Sequence, residues 1–147
     1  MMAVKKKKLR MKNNRNVMDT TELVQKEILD FHENIENWFK KNMINKEALL
    51  LGLLQNFHPD FKMKGSRGND LNYEDFANWL PSAFGKFSEM EIKISDIKIH
   101  LTDKHALAEY IETQNADGEM NTRKASAVFL LESYDKIKWY HLLEESI

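Results

Sequence analysis

One acid and one base are placed to meet across a predicted hairpin between residues 105 and 129. Asp117 and Gly118 tolerate the positive φ angles of a two-residue type I′ turn. With that turn, antiparallel pairing brings Glu112 opposite Arg123. At an exposed sheet position such a pair contributes only about 0.2–1 kcal/mol and acts as a structural clip. In a pocket, the Arg123 guanidinium can instead hold a carboxylate or phosphate of a ligand. The residues leave both interpretations open.

The two faces of this hairpin differ in character. One face carries small side chains and two aromatic ones: Ala106, Ala108, Tyr110, Ala125, Ala127 and Phe129. Small residues beside a polar pair are typical of a concave, partly hollow surface. The other face is apolar at its centre and carries Leu107, Ile111, Val128 and Leu130. A monomer would expose this apolar patch, so we predict a homodimer through it.

Helical patterns precede the strands. Apolar residues recur at steps of three and four from Val24 to Trp38, which predicts a long amphipathic helix that starts with the capping box of Asp19. Asn45 is expected to cap a second, shorter helix. Asn72 is expected to cap a third, which Pro81 should end or kink near Trp79 and Leu80.

Strand patterns follow the helices. A short strand is predicted in "FHPDFKM", and four longer ones cover residues 92–101, 105–114, 122–132 and 137–145. The alternation of the first long strand slips by one residue at Ser95 and Asp96, which predicts a β-bulge. The order indicates an α+β fold, with about three helices packed on one face of a curved antiparallel sheet.

The register of the last hairpin decides which residues of the final strand face inward. A two-residue turn at Asp135 and Lys136 would direct Tyr140, Leu142 and Glu144 to the concave face. A three-residue loop would direct Trp139, His141 and Leu143 there, because a one-residue slip reverses every side chain. We favour the second register, which fills the core with Trp139 and Leu143 and brings His141 to the pocket.

Charge is distributed unevenly along the 147 residues. Residues 1–16 carry seven bases and no acid, whereas the rest of the chain carries 15 bases and 23 acids, a net charge of −8. An acidic body argues against nucleic acid as its partner. We expect residues 1–18 to be a disordered basic arm ahead of one domain at residues 19–147. No segment has the length and apolarity of a membrane span or of a secretory signal, so we expect a cytoplasmic protein.

Four stretches carry a resemblance to a known family. They are "HPDFKMKG" at residues 58–65, "YIETQ" at 110–114, "RKASAVF" at 123–129 and "WYHLLEES" at 139–146. In this order they resemble segments of SnoaL-like members of the nuclear transport factor 2-like superfamily, in particular uncharacterised bacterial proteins with a cystatin-like fold. The resemblance implies a cone-shaped α+β structure, a pocket between helices and bent sheet, and homodimers.

The resemblance also selects candidate site residues. Enzymes of this superfamily that resemble ketosteroid isomerases and polyketide cyclases move protons with a pocket Asp or His. We therefore expect the ligand-binding residues to be His58, Tyr110, Glu112, Arg123 and His141, with Asp60 as a further candidate for proton transfer. No cofactor is expected.

Two other motifs receive structural interpretations. "HENIE" at residues 32–36 lacks a second histidine four residues after His32, so we interpret it as a solvated pair on the helix surface and expect no metal site. "GSRG" at residues 65–68 is interpreted as a connector, since no helix follows it directly.

Three functions remain open from the sequence. The first is a pocket protein that binds a small, partly apolar ligand, either neutral or anionic. The second is a dimerisation or protein-interaction module whose cone is filled by its own side chains. The third is an isomerase-like or cyclase-like enzyme with a proton shuttle.

The basic arm is predicted to be dispensable for folding, because its charge and lack of apolar periodicity leave it nothing to bury. A chain that begins at Met18 should therefore melt as cooperatively as the full chain, which differential scanning calorimetry of both measures. Loss of cooperative unfolding in the shorter chain would contradict the prediction.

Overall fold

The computed structural model describes residues 19–147 as three helices and six strands. The helices are α1 (Thr20–Lys40), α2 (Lys46–Leu54) and α3 (Tyr73–Ala83). The strands are β1 (Phe57–Lys64), β2 (Asp70–Asn72), β3 (Glu91–Leu101), β4 (His105–Ala116), β5 (Glu119–Ser133) and β6 (Lys136–Ser146). The predicted α+β class is confirmed, and the predicted basic arm lies outside the described residues.

The strands form one curved sheet in the order β2-β1-β6-β5-β4-β3. Four of its five strand pairs are antiparallel, as predicted, but β1 and β6 run parallel, so the sheet is mixed. The reason is topological. β1 and β6 are joined through most of the domain rather than through a hairpin, so no tight turn forces them to be antiparallel.

Local side-chain bonds start the helices where the sequence predicted. Asp19 Oδ1 accepts from the Glu22 amide at 2.8 Å, and the Glu22 carboxylate accepts from the Asp19 amide at 3.2 Å, which completes a capping box. Asn72 begins α3 with a second capping box, and the Asn45 side chain caps α2 by accepting from the Ala48 amide. The apolar stripe of α1 is buried at Val24, Ile28, Ile35 and Trp38.

Helix α3 runs further than expected. The prediction that Pro81 ends it near Trp79 and Leu80 is wrong, since the helix continues to Ala83 with Pro81 in its last turn. Proline removes only one hydrogen bond to the preceding turn. Trp38 Nε1 donates to the Leu80 carbonyl at 2.8 Å, and this contact helps hold the end of the helix in place.

Two turn and bulge predictions are confirmed. The register of β3 against β4 shifts between Ser95 and Lys98, and Asp96 adopts a φ of 55° there. Asp117 and Gly118 adopt φ angles of 54° and 83° in the β4–β5 turn. That turn sets the register in which Glu112 pairs with Arg123.

The last hairpin follows neither register that the sequence offered. β5 and β6 close at Ser133 and Lys136, and a bulge at Tyr140 separates the pair Phe129–Trp139 from the pair Val128–His141. Trp139 is buried as predicted, but His141 is exposed, so its predicted inward position is wrong.

The bulge reverses the alternation after Trp139. Leu142 and Glu144 are consequently the buried residues of the end of β6, whereas Leu143, which was predicted to fill the core, is only half-buried.

Aromatic rings dominate the core between the helices and the concave face. Trp139 stacks on Phe57 at 5.6 Å between ring centroids and packs against Phe129 at 4.4 Å. Four alanines of β4 and β5 are buried in the same core: Ala106, Ala108, Ala125 and Ala127. Their small size leaves room for these rings. Within residues 19–147, no helix is long and apolar enough to cross a membrane.

Candidate functional site

A cavity of about 490 Å³ lies between the helices and the concave face, partly open to solvent. Its walls are largely aromatic: Phe31, Phe39, Phe57, Phe61, Phe76, Trp79 and Trp139. Its polar side chains include His32, Tyr110, Glu112, Gln114, Asn121, Arg123 and Glu144. The hollow that the alanines were expected to line is therefore bounded by aromatic rings on one side and polar groups on the other, and the alanines themselves do not line it.

An ion pair joins α1 to β4 at the polar end. His32 Nδ1 lies 2.7 Å from the Ile28 carbonyl, and His32 Nε2 lies 3.4 Å from Glu112 Oε1. Both side chains are buried. Gln114 Nε2 donates to the other Glu112 oxygen at 2.7 Å, which orients the carboxylate.

The geometry of His32 determines where its protons lie. A carbonyl only accepts hydrogen bonds, so we assign a proton to Nδ1. A neutral imidazole with this tautomer would then direct a lone pair from Nε2 at the Glu112 carboxylate, and two acceptors repel each other. One proton must therefore lie between Nε2 and Glu112.

The pKa directions place that proton on His32. Burial lowers the pKa of His32, but the hydrogen bond and negative charge of Glu112 and the Ile28 carbonyl outweigh burial, so the pKa is raised. Burial likewise raises the pKa of Glu112, but the hydrogen bond and charge of His32, with Gln114 and Arg123, outweigh it and the pKa is lowered. Between the lowered pKa of Glu112 and the raised pKa of His32, the pair is an imidazolium and a carboxylate.

A second ion pair joins β5 to β6. Arg123 Nη1 donates to Glu144 Oε1 at 3.0 Å, so the guanidinium contacts Glu144 rather than the Glu112 that faces it in the register. Burial raises the pKa of Glu144, and the charge of Glu112 adds to this, while Arg123 opposes it. Glu144 therefore takes up a proton more readily than an exposed glutamate does.

Two buried donors at this end have no hydrogen-bond partner among residues 19–147, namely the Tyr110 hydroxyl and Arg123 Nε. Tyr110 is 1% exposed and lines the cavity. Burial raises the pKa of Tyr110 well above its ordinary value, and the charges of Glu112 and Glu144 raise it further. The hydroxyl is therefore protonated at neutral pH and can donate to an acceptor in the cavity.

The structure brings three of the predicted site residues together and separates two. Tyr110, Glu112 and Arg123 all line the cavity. His58 and His141 do not. His58 Nδ1 accepts from the Asp60 amide at 3.0 Å, and its ring lies against exposed Tyr140 with 5.3 Å between centroids. The bulge in β6 turns the side chain of His141 to the exposed face of the sheet.

Two cavity-lining residues lie outside the set of site residues that the sequence selected. His32 was interpreted as part of a solvated pair, yet it is buried. The available signal was its spacing, four residues after Ile28 and three before Ile35, which places it on the buried side of α1. Glu144 faces inward only in the two-residue register, which the sequence analysis did not favour. The available signal was its spacing of two residues from apolar Leu142, which places both side chains on one face of the strand.

The "GSRG" segment is a connector, as predicted, and it leads from β1 to the short strand β2, which the sequence analysis did not predict. Gly65, Ser66, Arg67 and Asn69 line the cavity, and Arg67 is exposed. Gly65 is tightly packed, because a Cβ there would lie 2.5 Å from Asn69 Oδ1. In the described part of the chain, no three His, Asp or Glu side chains are arranged to hold a metal ion.

Comparison with solved structures identifies the fold. A nuclear transport factor 2-like protein of unknown function from Pseudomonas aeruginosa superposes with a TM-score of 0.79 at 21% identity, over 85% of this chain and 98% of that one. The chain has the nuclear transport factor 2-like fold. The fold that the four sequence stretches implied is thereby confirmed.

Two further structures share this fold at lower similarity. A nuclear transport factor 2-like superfamily protein from Salmonella enterica serovar Typhimurium has a TM-score of 0.61 at 21% identity, over 86% of this chain and 93% of that one. A protein of unknown function with a cystatin-like fold from Nostoc punctiforme has a TM-score of 0.62 at 16% identity, over 88% and 96%. No family model and no curated protein matches the sequence.

The His32–Glu112 pair should stabilise the fold in a defined pH window. Because the pKa of His32 is raised in the folded state, its contribution to stability is complete below the unfolded pKa of about 6.5. This contribution is lost as pH rises through the folded pKa. Because the pKa of Glu112 is lowered in the folded state, its contribution to stability is complete above the unfolded pKa of about 4.5. This contribution is lost as pH falls through the folded pKa. Both contributions are complete between about pH 4.5 and 6.5.

We therefore expect Glu112→Gln to lose about 3 kcal/mol of unfolding free energy at about pH 5.5, because it leaves a buried charge unpaired. The loss should be smaller at about pH 9, because the contribution of the His32 charge is lost as pH rises through the raised folded pKa. Urea titrations at both pH values measure this. The control is Glu109→Gln on the exposed face of β4, where the Lys124 contact of 3.9 Å should contribute under about 0.5 kcal/mol. An equal loss at both pH values would contradict the assignment.

Proposed function

We propose that the protein binds a small molecule with a ring-shaped, partly apolar body and an oxygen that accepts hydrogen bonds. One observation carries the proposal, namely the buried Tyr110 hydroxyl, which lines the cavity without a partner among residues 19–147. Burying a hydroxyl without a hydrogen bond costs about 1–3 kcal/mol. A site that retains such a group is suited to a partner that arrives from outside the chain.

The cavity supports this proposal by its size and walls. Its volume of about 490 Å³ lies within the range of about 300–1,000 Å³ that small-molecule sites occupy. Aromatic walls favour ring systems, because rings pack well by stacked and edge-to-face contacts. The same volume favours a pocket protein over the alternative in which the cone is filled by its own side chains.

Catalysis remains a prediction. The His32–Glu112 pair holds a proton beside the cavity, which is the kind of group that an isomerase-like or cyclase-like enzyme would use. The pair is already satisfied by the Ile28 carbonyl and Gln114, so ligand binding is the function that its geometry supports best. Membership of the SnoaL-like branch and a cytoplasmic location also remain predictions.

A homodimer through the outer face of the sheet is the second part of the proposal. Leu107 is 42% exposed on this face, and its apolar neighbours Ile111, Val128 and Leu130 are only half-buried. A second copy of the chain would cover this patch, which a monomer leaves in contact with water.

Removing only the Tyr110 hydroxyl tests the ligand proposal. A set of small aromatic ketones, alcohols and acids is first examined by ligand-observed NMR, and the tightest binder is titrated by calorimetry. Tyr110→Phe should weaken this binder about tenfold, as loss of one buried hydrogen bond of about 1.4 kcal/mol requires. Its melting temperature should not fall, because the hydroxyl bonds to no described residue.

The matched control is Tyr140→Phe, on the exposed outer face of β6, which should leave both affinity and stability unchanged. Failure of every compound in the set to bind wild type, or equal affinity for wild type and Tyr110→Phe, would contradict the proposed site.

The dimer is tested by placing a charge in its predicted interface. Leu107→Glu should convert a dimer into a monomer with an unchanged melting profile at low concentration, because the side chain is exposed in the single chain. Light scattering over a dilution series measures the mass. The control is Leu51→Glu, since Leu51 is 66% exposed on α2, away from the sheet. A monomer mass for wild type at every concentration would contradict the dimer.

A further inference from the structure

The ionised groups at the inner end of the cavity occur in two matched pairs. The imidazolium of His32 contacts the carboxylate of Glu112, and the guanidinium of Arg123 contacts that of Glu144. Each cation of this buried cluster therefore already faces an anion of the protein. Arg67 adds a further positive charge, but it is exposed at the opening, where water and salt screen it.

The sheet register places the Tyr110 hydroxyl among the acidic side chains. Ala125 of β5 pairs with Tyr110 on one side and with Glu144 on the other, so these three residues form one row across β4, β5 and β6. The next inward-facing residue on β4 is Glu112. The negative charges of both glutamates act on the Tyr110 hydroxyl. A group that accepts from this hydroxyl is thus bound close to two carboxylates.

We propose that the pocket selects an uncharged ligand, an aromatic ketone or alcohol, over the corresponding carboxylate, and that Glu144 sets this selectivity. The inference rests on the proposed ligand-binding function and narrows the ligand that the sequence left either neutral or anionic. An uncharged oxygen accepts from Tyr110 without adding charge to the balanced cluster. A carboxylate would be buried beside two like charges, with both inner cations already paired.

Glu144, rather than Glu112, is the residue that controls this choice. Glu112 is held by both His32 and Gln114, whereas Glu144 has one hydrogen bond, from Arg123 Nη1. Loss of the Glu144 charge would leave the guanidinium without its hydrogen-bonded anion. A ligand carboxylate can then take the position of Glu144 beside Arg123, as a charge-assisted hydrogen bond.

The pH dependence of binding follows from the same cluster. The charged and titratable groups that face Glu144 across the cavity are His32 from α1, Tyr110 and Glu112 from β4, and Arg123 from β5. Because burial and Glu112 raise the pKa of Glu144, acidification neutralises it at a higher pH than an exposed glutamate. Affinity for a ligand carboxylate should therefore rise as pH falls, whereas affinity for the uncharged analogue should not.

The experiment uses two probes with the same ring, 2-acetylnaphthalene and 2-naphthoate, in calorimetric titrations of the full chain. At about pH 8, wild type should bind the ketone at least about tenfold more tightly than the carboxylate, a difference of about 1.4 kcal/mol. Glu144→Gln should bind 2-naphthoate about tenfold more tightly than wild type does, with the ketone changed less than about threefold.

The control is Glu145→Gln, whose exposed side chain lies on the opposite face of β6 and should leave both affinities unchanged. Thermal melts establish that each variant folds. Should Glu144→Gln fail to fold, wild type decides the question, because its affinity for 2-naphthoate must rise as pH falls from about pH 8 to about pH 5, where the probe itself stays mostly ionised.

The outcomes separate the two proposals. Tighter or equal binding of 2-naphthoate by wild type, or an affinity for it that does not change with pH, overturns the selectivity while the binding function stands. Binding of neither probe by wild type, together with no binder in the wider compound set, overturns the proposed function and this inference with it.

Discussion

The contact between His32 and Glu112 is the interaction on which the site depends. Two charges can be buried between a helix and a sheet only if each is paired and its remaining hydrogen bonds are satisfied. The Ile28 carbonyl satisfies His32 on one side, and Gln114 satisfies Glu112 on the other. The pair therefore ties α1 to β4, and it makes this end of the cavity polar while the other walls are largely aromatic.

Trp139 forms the boundary between the filled core and the cavity. Its ring stacks on Phe57, and its Nε1 donates to Glu27 Oε2 at 2.8 Å. Burial raises the pKa of Glu27, although the bonds from Trp139 and Asn56 oppose the shift. α1 thus holds β6 through Glu27 and β4 through His32, and the cavity lies beside the second of these contacts.

The shared fold and the cavity side chains carry different information about this chain. The P. aeruginosa protein superposes over nearly its full length but is itself of unknown function, so the shared fold carries no substrate with it. The chemistry of this chain's cavity lies in the side chains on the inner face of the sheet. Two carboxylates, one guanidinium and one tyrosine hydroxyl occur there on three adjacent strands and line the cavity.

Sequence reasoning succeeded at four features whose determinants lie within a few residues of each other. The capping boxes begun by Asp19 and Asn72, the turn at Asp117 and the bulge after Ser95 are all local, because each depends on hydrogen bonds or φ angles of adjacent residues. The β4–β5 turn in turn fixed Glu112 opposite Arg123, since a two-residue turn leaves no freedom in the register.

Tertiary structure alone decided the partners and directions of the charged groups. Arg123 turned to Glu144 because three adjacent strands offered it two carboxylates and His32 already held the other. The bulge at Tyr140 turned His141 outward and Glu144 inward. The position of this bulge follows from the packing of Trp139 against aromatic rings of other elements. Those rings lie far from Trp139 in the sequence, so no short stretch contains both. The acid and base of the hairpin were thus readable from the sequence, whereas the charge balance around them required the assembled sheet and helix.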